Sequence, residues 1–215
     1  VSNPLIGRIT DALVAGGARV IFGETMEWLG AEHLLARRAA TPEVAQALVQ
    51  AVSRREALAM SQGEDLLGNN PGPTNIAAGL STIEEKSLGA IAKSGTATIQ
   101  GVLALAERPA GPGLYAMDAS AYAPESLSGF VAAGAQMLLF STGVGNSYVS
   151  QLSPTVKISA NPQACRMLHQ QLDFDASAVF EGRQPIEAAA DAFEEAAAAD
   201  PGCGAALWGI AHAIG

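Results

Sequence analysis

Short apolar runs that alternate with helical patterns constrain the fold of this chain more than any other feature. An apolar run of about four to eight residues is typical of a strand buried on both faces, and helices between such strands favour a parallel sheet. Five runs of this kind occur: ARVIFG, TATIQGVLALA, GLYAMD, QMLLFST and TVKISA. We therefore predict an α/β fold with a mostly parallel sheet flanked by helices, a Rossmann-like three-layer sandwich.

The segments between these runs carry helix start and stop signals. Asn3 as N-cap and Pro4 predict a first helix that ends at Gly16, and Thr41 with Pro42 predicts another helix start. A capping box of Ser81 and Glu84, followed by an apolar stripe of Ile83, Leu88 and Ile91, predicts a further helix. Other helices are predicted over 26–39, over 124–133, after Asn161, and from 186 to 200.

Length and charge limit the class of protein. The chain has 215 residues, 49% of them hydrophobic, and we predict a single α/β domain over residues 1–215. The formal net charge of -9 argues against nucleic acid or an anionic membrane surface as partners. Glycines interrupt the uncharged stretch 126–156, so it is not expected to span a membrane. Cys165 and Cys203 have no metal-ligand spacing, which indicates free thiols in a reducing, cytoplasmic compartment.

Polar residues follow four of the predicted strands, at the edge where open α/β sheets bind ligands. They are Glu24 after the first run, Asp118 after the third, Thr142 with Gly143 at the end of the fourth, and Asn161 after the fifth. A charge directly after a buried strand is costly unless it is solvated in a cleft or paired. These residues either line a binding cleft or cap the helices that follow, and the sequence leaves both readings open.

Charged residues in the predicted helix 26–39 form a second candidate group. His33 and Arg37 lie one helical turn apart, and Arg38 is next to them. Guanidinium groups bind carboxylates through two parallel hydrogen bonds, which suits a carboxylic acid substrate. The alternative is a solvated helix with ordinary ion pairs from Glu24 or Glu27 to the arginines.

The segment Asn69–Gly95 places a turn-rich loop directly before a short helix that carries EEK at 84–86. A lysine beside carboxylates can hold a substrate carboxylate or act as a base. Asn70 and Asn75 in the loop can donate hydrogen bonds to hydroxyl groups, although local turn chemistry also explains them. A solvated helix face explains the charged triplet equally well.

Five segments together resemble the C-terminal half of the altronate and galactarate dehydratase family, enzymes that remove water from sugar acids. They are GETMEWLGAEHLLARRA, NNPGPTNIAAGLSTIEEKSLGAIAKSG, ERPAGPGLYAMD, PESLSGFVAAGAQ and LLFSTGVGN. The resemblance implies a hydro-lyase with a small sugar acid as substrate. It also implies a divalent metal, with iron the expected ion, held mainly by an N-terminal half of the enzyme. We expect this chain to be the C-terminal domain of that larger enzyme, and a homo-oligomer is left open.

With this resemblance, we assign provisional roles to the candidate residues. The predicted catalytic residues are Lys86, His33, Glu24 and Glu85. The predicted substrate-binding residues are Arg37, Arg38, Asn70, Asn75, Asp118, Thr142 and Gly143. We expect Glu24, His33, Lys86 and Asp118 to converge on one cleft.

Two alternatives to a sugar-acid dehydratase remain at this point. The segment STGVGN carries Val144 where members of the family commonly carry an arginine, which would suit another 2-hydroxy acid such as sulfolactate. The chain could also be a non-catalytic substrate-binding or assembly domain that docks with a metal-bearing partner.

Overall fold

A single parallel sheet organises the computed structural model, which describes residues 1–63, 71–77, 79–199 and 210–214. The described residues form seven strands in the order β2-β3-β1-β7-β4-β5-β6, and every neighbouring pair is parallel. The strands are β1 (Arg19–Phe22), β2 (Ile99–Leu103), β3 (Gly113–Met117), β4 (Met137–Ser141), β5 (Thr155–Ser159), β6 (Phe174–Asp175) and β7 (Ile210–Ile214). The predicted α/β class with a parallel sheet is confirmed, and the five predicted runs are all strands.

Helices occur in four of the six connections between successive strands, and the connections from β2 to β3 and from β4 to β5 contain none. In the described residues the helices are α1 (Ser2–Ala15), α2 (Glu32–Ala36), α3 (Pro42–Ser61), α4 (Pro73–Ala77), α5 (Ile83–Ile91), α6 (Ala123–Ala132), α7 (Pro162–Met167), α8 (Ser177–Phe180) and α9 (Ile186–Ala199). Short 3-10 turns occur at Thr25–Trp28 and Ala92–Ser94. None of the helices in the described part is long and apolar enough to cross a bilayer.

The sheet separates two hydrophobic clusters, because successive side chains of a strand point to opposite faces. Val20 and Phe22 pack with α1, α3 and α9 in the larger cluster, and Phe22 contacts Trp28 with ring centroids 5.3 Å apart. Ile21 faces the other way and packs with Leu127 and Phe130 of α6. The predicted three-layer arrangement of helices, sheet and helices is therefore present.

The predicted helix over 26–39 is two separate pieces. The 3-10 turn Thr25–Trp28 is followed by Gly30 with a φ of 82°, and only then does α2 begin. A Cβ at position 30 would overlap with the side chain of Glu84 on α5. The positive φ and this close approach explain why the chain cannot continue as one helix here.

The predicted capping box of α5 is shifted by one residue. Thr82 is the N-cap, and its hydroxyl accepts a hydrogen bond from the Glu85 amide at 3.2 Å. Glu85 in turn accepts from the Ser81 amide at 2.8 Å. Ile83 is buried, whereas Leu88, which we expected on the apolar stripe, is 51% exposed. Ser87 and Ala90 are buried together with Ile83, and Lys86 is only partly exposed, so this face of α5 is the one turned inward.

The C-terminal tail is the main error in the sequence-based topology. We predicted no strand after residue 160, yet β6 extends the sheet edge and β7 lies in its centre, between β1 and β4. The segment ALWGIAHAIG has little β-branched character, and its strand partners are about 70 and 190 residues away, so local pattern is a weak guide.

Candidate active site at the carboxyl ends of the strands

The loop after β1 brings a buried carboxylate to the carboxyl edge of the sheet. Glu24 is 0% exposed and has a left-handed backbone conformation, with φ 66° and ψ 63°. A non-glycine residue in this region costs free energy and persists only where the surrounding structure holds it in place. Such strain is often found at functional sites.

Thr25 ties this loop to the end of β3. Its amide donates to the Ala119 carbonyl at 3.0 Å, and its hydroxyl donates to Asp118 Oδ1 at 2.9 Å. The Ala119 amide donates back to the Thr25 hydroxyl at 3.1 Å. These bonds hold the loops after β1 and β3 in one fixed arrangement.

Glu27, one turn beyond Glu24, forms an ion pair with Lys86 of α5. The distance from Lys86 Nζ to Glu27 Oε1 is 2.8 Å, and the two side chains are 22% and 8% exposed. The second oxygen, Glu27 Oε2, is buried and has no hydrogen-bond partner among the described residues. The open alternative in which Glu27 pairs with the arginines of 37–38 is therefore wrong, because Glu27 pairs with Lys86.

Lys93 adds a second lysine to this group. It lies on the 3-10 turn after α5 and is 2% exposed. Burial lowers the pKa of the Lys93 ammonium to about 8, although the nearby Glu24 and Glu27 carboxylates act in the opposite direction and Lys86 adds to the lowering. Two carboxylates and two lysines thus share a poorly solvated region. The attraction between their opposite charges offsets the free-energy cost of burying them.

A cavity of about 300 Å³, here named the lysine cavity, opens against these groups. Its walls include Glu27, Lys86 and Lys93 on one side and Thr142 with Gly143, after β4, on the other. Asn3 joins the two sides, because its amide donates to the Gly89 carbonyl at 2.8 Å and its oxygen accepts from Ser141 at 3.1 Å. Asn3 is therefore not the N-cap of α1, a position that Val1 holds instead.

A second cavity of about 570 Å³, here named the tyrosine cavity, lies on the other side of the ion pair. Tyr122 and the segment 146–148 contribute to its walls, and Glu27 and Lys86 line it as well. The Glu27–Lys86 pair consequently lies in the walls of both cavities. A ligand in either cavity would contact this pair.

Five of the predicted site residues line the lysine cavity: Lys86, Glu85, Asn75, Thr142 and Gly143. Several of them also have local structural bonds. The Glu85 carboxylate accepts from the amide and hydroxyl of Ser81, which lowers its pKa. Asn75 Oδ1 accepts from the Gly72 amide at 3.2 Å, and the Thr142 hydroxyl accepts from the Gly145 amide at 3.0 Å. The Asn75 amide group and the Thr142 hydroxyl hydrogen are the donors these two residues can offer to a ligand.

Asp118 is held by arginines of α3. Its oxygens accept from Arg55 Nε at 2.9 Å and Arg54 at 3.1 Å, in addition to Thr25. Burial alone would raise the pKa of the Asp118 carboxyl, but the bonds from Arg55, Arg54 and Thr25 outweigh it and lower the pKa below its ordinary value. In the described structure Asp118 joins α3 to the β1 and β3 loops.

The remaining predicted residues lie away from both cavities or outside the described part. His33 and Arg37 are exposed and are not among the residues that line either cavity. The Arg38 guanidinium donates to the Ser94 hydroxyl at 2.9 Å and to the Ala97 carbonyl at 2.7 Å, which fixes the segment after α5. Asn70 is not among the described residues. The catalytic and substrate-binding roles assigned to all these positions stay predictions.

Sequence reasoning did not select Glu27 or Lys93 as site residues. Both lie in mainly apolar surroundings, between Met26 and Trp28 and between Ala92 and Ser94. A charged residue within a short apolar helical segment is a signal that could have identified them, because such a charge needs a partner. The identity of that partner depends on the tertiary structure.

The metal expected from the resemblance has no ligand set among the described residues. No three His, Cys, Asp or Glu side chains in that part of the chain are grouped as metal ligands. Glu24 and Glu27 are carboxylates, but their neighbours are Lys86 and Lys93, which compete with a cation for the same oxygens. These residues do not fit a metal by themselves, and an iron site formed with other parts of the enzyme stays a prediction.

A parallel α/β domain with a charged cavity at the carboxyl ends of its strands is typical of enzyme domains that bind small molecules. Residues 1–200 match the family described as D-galactarate/altronate dehydratase, C-terminal. The chain belongs to this family, which confirms the resemblance seen in the sequence.

Relatives of known activity are lyases. The chain is 38% identical to the (2R)-sulfolactate sulfo-lyase subunit beta of Chromohalobacter salexigens, over 88% of this chain and 49% of the relative. It is 34% identical to the altronate dehydratase of Escherichia coli, over 85% of this chain and 36% of the relative. It is 33% identical to the galactarate dehydratase (L-threo-forming) of Escherichia coli, over 86% of this chain and 35% of the relative. The chain thus spans about a third to a half of the length of these relatives.

Proposed function

We propose that this chain is the C-terminal domain of a lyase that eliminates water from an aldonate or aldarate, and that the lysine cavity holds the substrate. The observation that carries the proposal is the presence of Lys86 and Lys93 in the wall of that cavity. The protein has a net charge of -9, so it attracts an anion only where cations are concentrated locally. Membership of the dehydratase family supports the same type of substrate.

The cavity offers groups of the kinds that a sugar acid requires. Lys86 is the more exposed of the two lysines and can receive the substrate carboxylate, exchanging part of its contact with Glu27 for it. Thr142 and Asn75 supply polar groups for the hydroxyls. A cavity of about 300 Å³ lies at the small end of the range for ligand sites, in keeping with a small, polar substrate.

Elimination also needs assistance for the departing hydroxyl group. A divalent metal would supply this as a Lewis acid. The relatives are two to three times as long as the matched region, and we propose that the remainder of the enzyme carries the metal ligands and closes the cavity. The isolated chain is then expected to bind sugar acids weakly and to turn none over.

Calorimetric titration of the chain with galactarate, altronate and related acids tests the binding part. We expect measurable binding that falls by about tenfold or more in Lys86→Met, since a charge-assisted contact contributes about 1.5 to 3 kcal/mol. Arg166→Met on α7 is a matched control, because Arg166 is exposed and is not among the residues that line the lysine cavity. Equal losses in both variants, or no binding by the parent, would reject the lysine cavity as the substrate site.

Turnover is measured on the full-length protein that carries this chain, with ferrous iron supplied. Formation of a 2-keto acid from a sugar acid supports the dehydratase. Binding without turnover of any acid would favour a substrate-binding or assembly role.

A second candidate function is removal of sulfite from sulfolactate. It is favoured by the 38% identity to a sulfolactate sulfo-lyase subunit, against 33–34% for the dehydratases named above. Both reactions remove a proton from C2 and a leaving group from C3 of a 2-hydroxy acid, so one cavity can suit either. Side-by-side assays with sulfolactate and galactarate, with detection of sulfite and of the 2-keto product, separate them.

A further inference from the structure

Lys93 differs from the other lysines of the chain in its surroundings. The chain has three lysines, Lys86, Lys93 and Lys157. Lys86 is partly exposed and forms a direct ion pair, whereas Lys157 is buried beside the Asn146 carbonyl and is not among the residues that line either cavity. Lys93 is both buried and part of the cavity wall.

The backbone at Lys93 is held from two sides. The Thr10 hydroxyl of α1 donates to the Lys93 carbonyl at 2.9 Å. The next residue, Ser94, accepts from the Arg38 guanidinium through its hydroxyl and its carbonyl, at 2.9 and 2.8 Å. A side chain on such a fixed turn can be kept in a defined position against a ligand.

The charged groups around the Lys93 amine come from three elements. Glu24 lies on the loop after β1, Glu27 on the adjacent 3-10 turn and Lys86 on α5. Glu85 on α5 lines the same cavity, and Asp11 of α1 binds the amides of Thr96 and Ala97 further along the chain. The nearest groups therefore comprise two carboxylates, which favour the ammonium form, and one lysine, which together with burial favours the neutral amine.

We propose that Lys93 is the base that removes the C2 proton of the 2-hydroxy acid held in the lysine cavity. The inference rests on the proposed function and assigns one step of it. Lys93 lines the cavity, while Glu24 is fully buried and is not among the lining residues. Glu24 then acts as a positioning residue that stabilises the ammonium once Lys93 has taken up the proton.

The step conserves atoms and charge. The Lys93 amine takes the proton from C2, the C2–H electron pair forms the C2–C3 double bond, and the bond from C3 to the leaving group breaks. The leaving hydroxide takes a proton from solvent and departs as water, and Lys93 returns its proton to solvent. The enol that remains tautomerises to the 2-keto acid. With sulfolactate, sulfite leaves in place of hydroxide and the role of Lys93 is the same.

The test uses the full-length protein and two substitutions that keep a positive charge. Lys93→Arg retains the cation but cannot act as a base near neutral pH, because the guanidinium stays protonated. We expect kcat to fall by about a hundredfold or more, with substrate affinity within a few-fold of the parent. Lys157→Arg is the matched control, because Lys157 is as buried as Lys93 but is not among the residues that line either cavity, and it is expected to keep kcat within a few-fold of the parent.

The pH dependence supplies an independent measurement on the parent. kcat/KM should rise with pH through a group that titrates near 8, with a primary isotope effect for substrate deuterated at C2. Absence of such a group between pH 7 and 9, normal kcat in Lys93→Arg, or loss of affinity with unchanged kcat would each overturn the role of Lys93. Failure of the parent to bind or convert any 2-hydroxy acid would overturn the proposed function itself.

Discussion

Lys86 and Glu27 lie 59 positions apart in the chain, yet their side chains meet at 2.8 Å. The contact joins α5 to the turn after β1 and lies in the walls of both cavities. Lys86 therefore does not lie on a fully solvated helix face, which was one of the interpretations that the sequence allowed. The pair is partly buried, so its removal has consequences for both ligand binding and stability.

A double-mutant cycle with Lys86→Met and Glu27→Gln measures this pair. We expect a coupling free energy of about 1 to 3 kcal/mol, because Glu27 is nearly buried and loses its only cationic hydrogen-bond donor among the described residues. The exposed pair Arg8–Glu187, with side chains 50% and 57% exposed, is the control and should give about 0 to 1 kcal/mol. Urea unfolding of the shared parent and the three variants of each cycle gives both values, and equal coupling in the two pairs would contradict the buried character of the first.

The lowered pKa of Lys93 predicts how the free energy of unfolding depends on pH. Its folded-state pKa of about 8 is below its ordinary value of 10.5, so between these values the unfolded chain binds more protons than the folded chain. Stability of the parent relative to Lys93→Met should therefore rise with pH over this window, by up to about 3 kcal/mol. Below pH 8 the difference should be constant.

Unfolding of the parent and the Lys93→Met variant at a series of pH values provides the measurement. Cys165 also contributes in this window, because burial raises its pKa from an ordinary value of 9.0 to about 11, but it is common to both proteins and its contribution cancels in the difference. A flat difference between pH 8 and 10.5 would show that Lys93 is not held in poorly solvated surroundings.

Asp118→Asn should destabilise the fold by about 1 to 3 kcal/mol at neutral pH, because Arg55, Arg54 and Thr25 all bind this carboxylate. The pKa of Asp118 is lowered in the folded state, so its contribution is fully present above the ordinary value of 3.8 and disappears as the pH falls through the folded-state value. Thermal melts at several pH values measure the difference. Asp191→Asn, an exposed position on α9, is the control and should change stability by less than about 0.5 kcal/mol.

Gly95→Ala should destabilise the chain by more than about 3 kcal/mol, because backbone strain and overpacking add at this position. Gly95 has a φ of 59°, and a Cβ there would overlap with the Asp11 carboxylate and the Gly7 carbonyl. Gly17→Ala isolates the backbone effect, since its φ is 85° and nothing lies within 4 Å of an added Cβ. A cost of about 1 to 2 kcal/mol is expected there. Similar melting temperatures for the two variants would mean that α1 and the turn at Gly95 can move apart at little cost in free energy.

The sequence by itself determined the local elements and the class of fold. Apolar runs marked five strands, and the side chains of Thr41 and Asn161 act as N-caps at the predicted helix starts. These features depend on short-range physics, namely the periodicity of burial and the hydrogen bonds of helix ends, which a few neighbouring residues specify. The family motifs were likewise readable from the chain.

The tertiary structure alone decided the composition of the site. The packing of α5 turned Lys86 inward and left Leu88 exposed, and long-range packing also placed Lys93 near Glu24 and Glu27. The same packing set β7 between β1 and β4. A sequence shows that a charged residue needs compensation, but the compensating residue is selected by contacts between elements that are far apart in the chain.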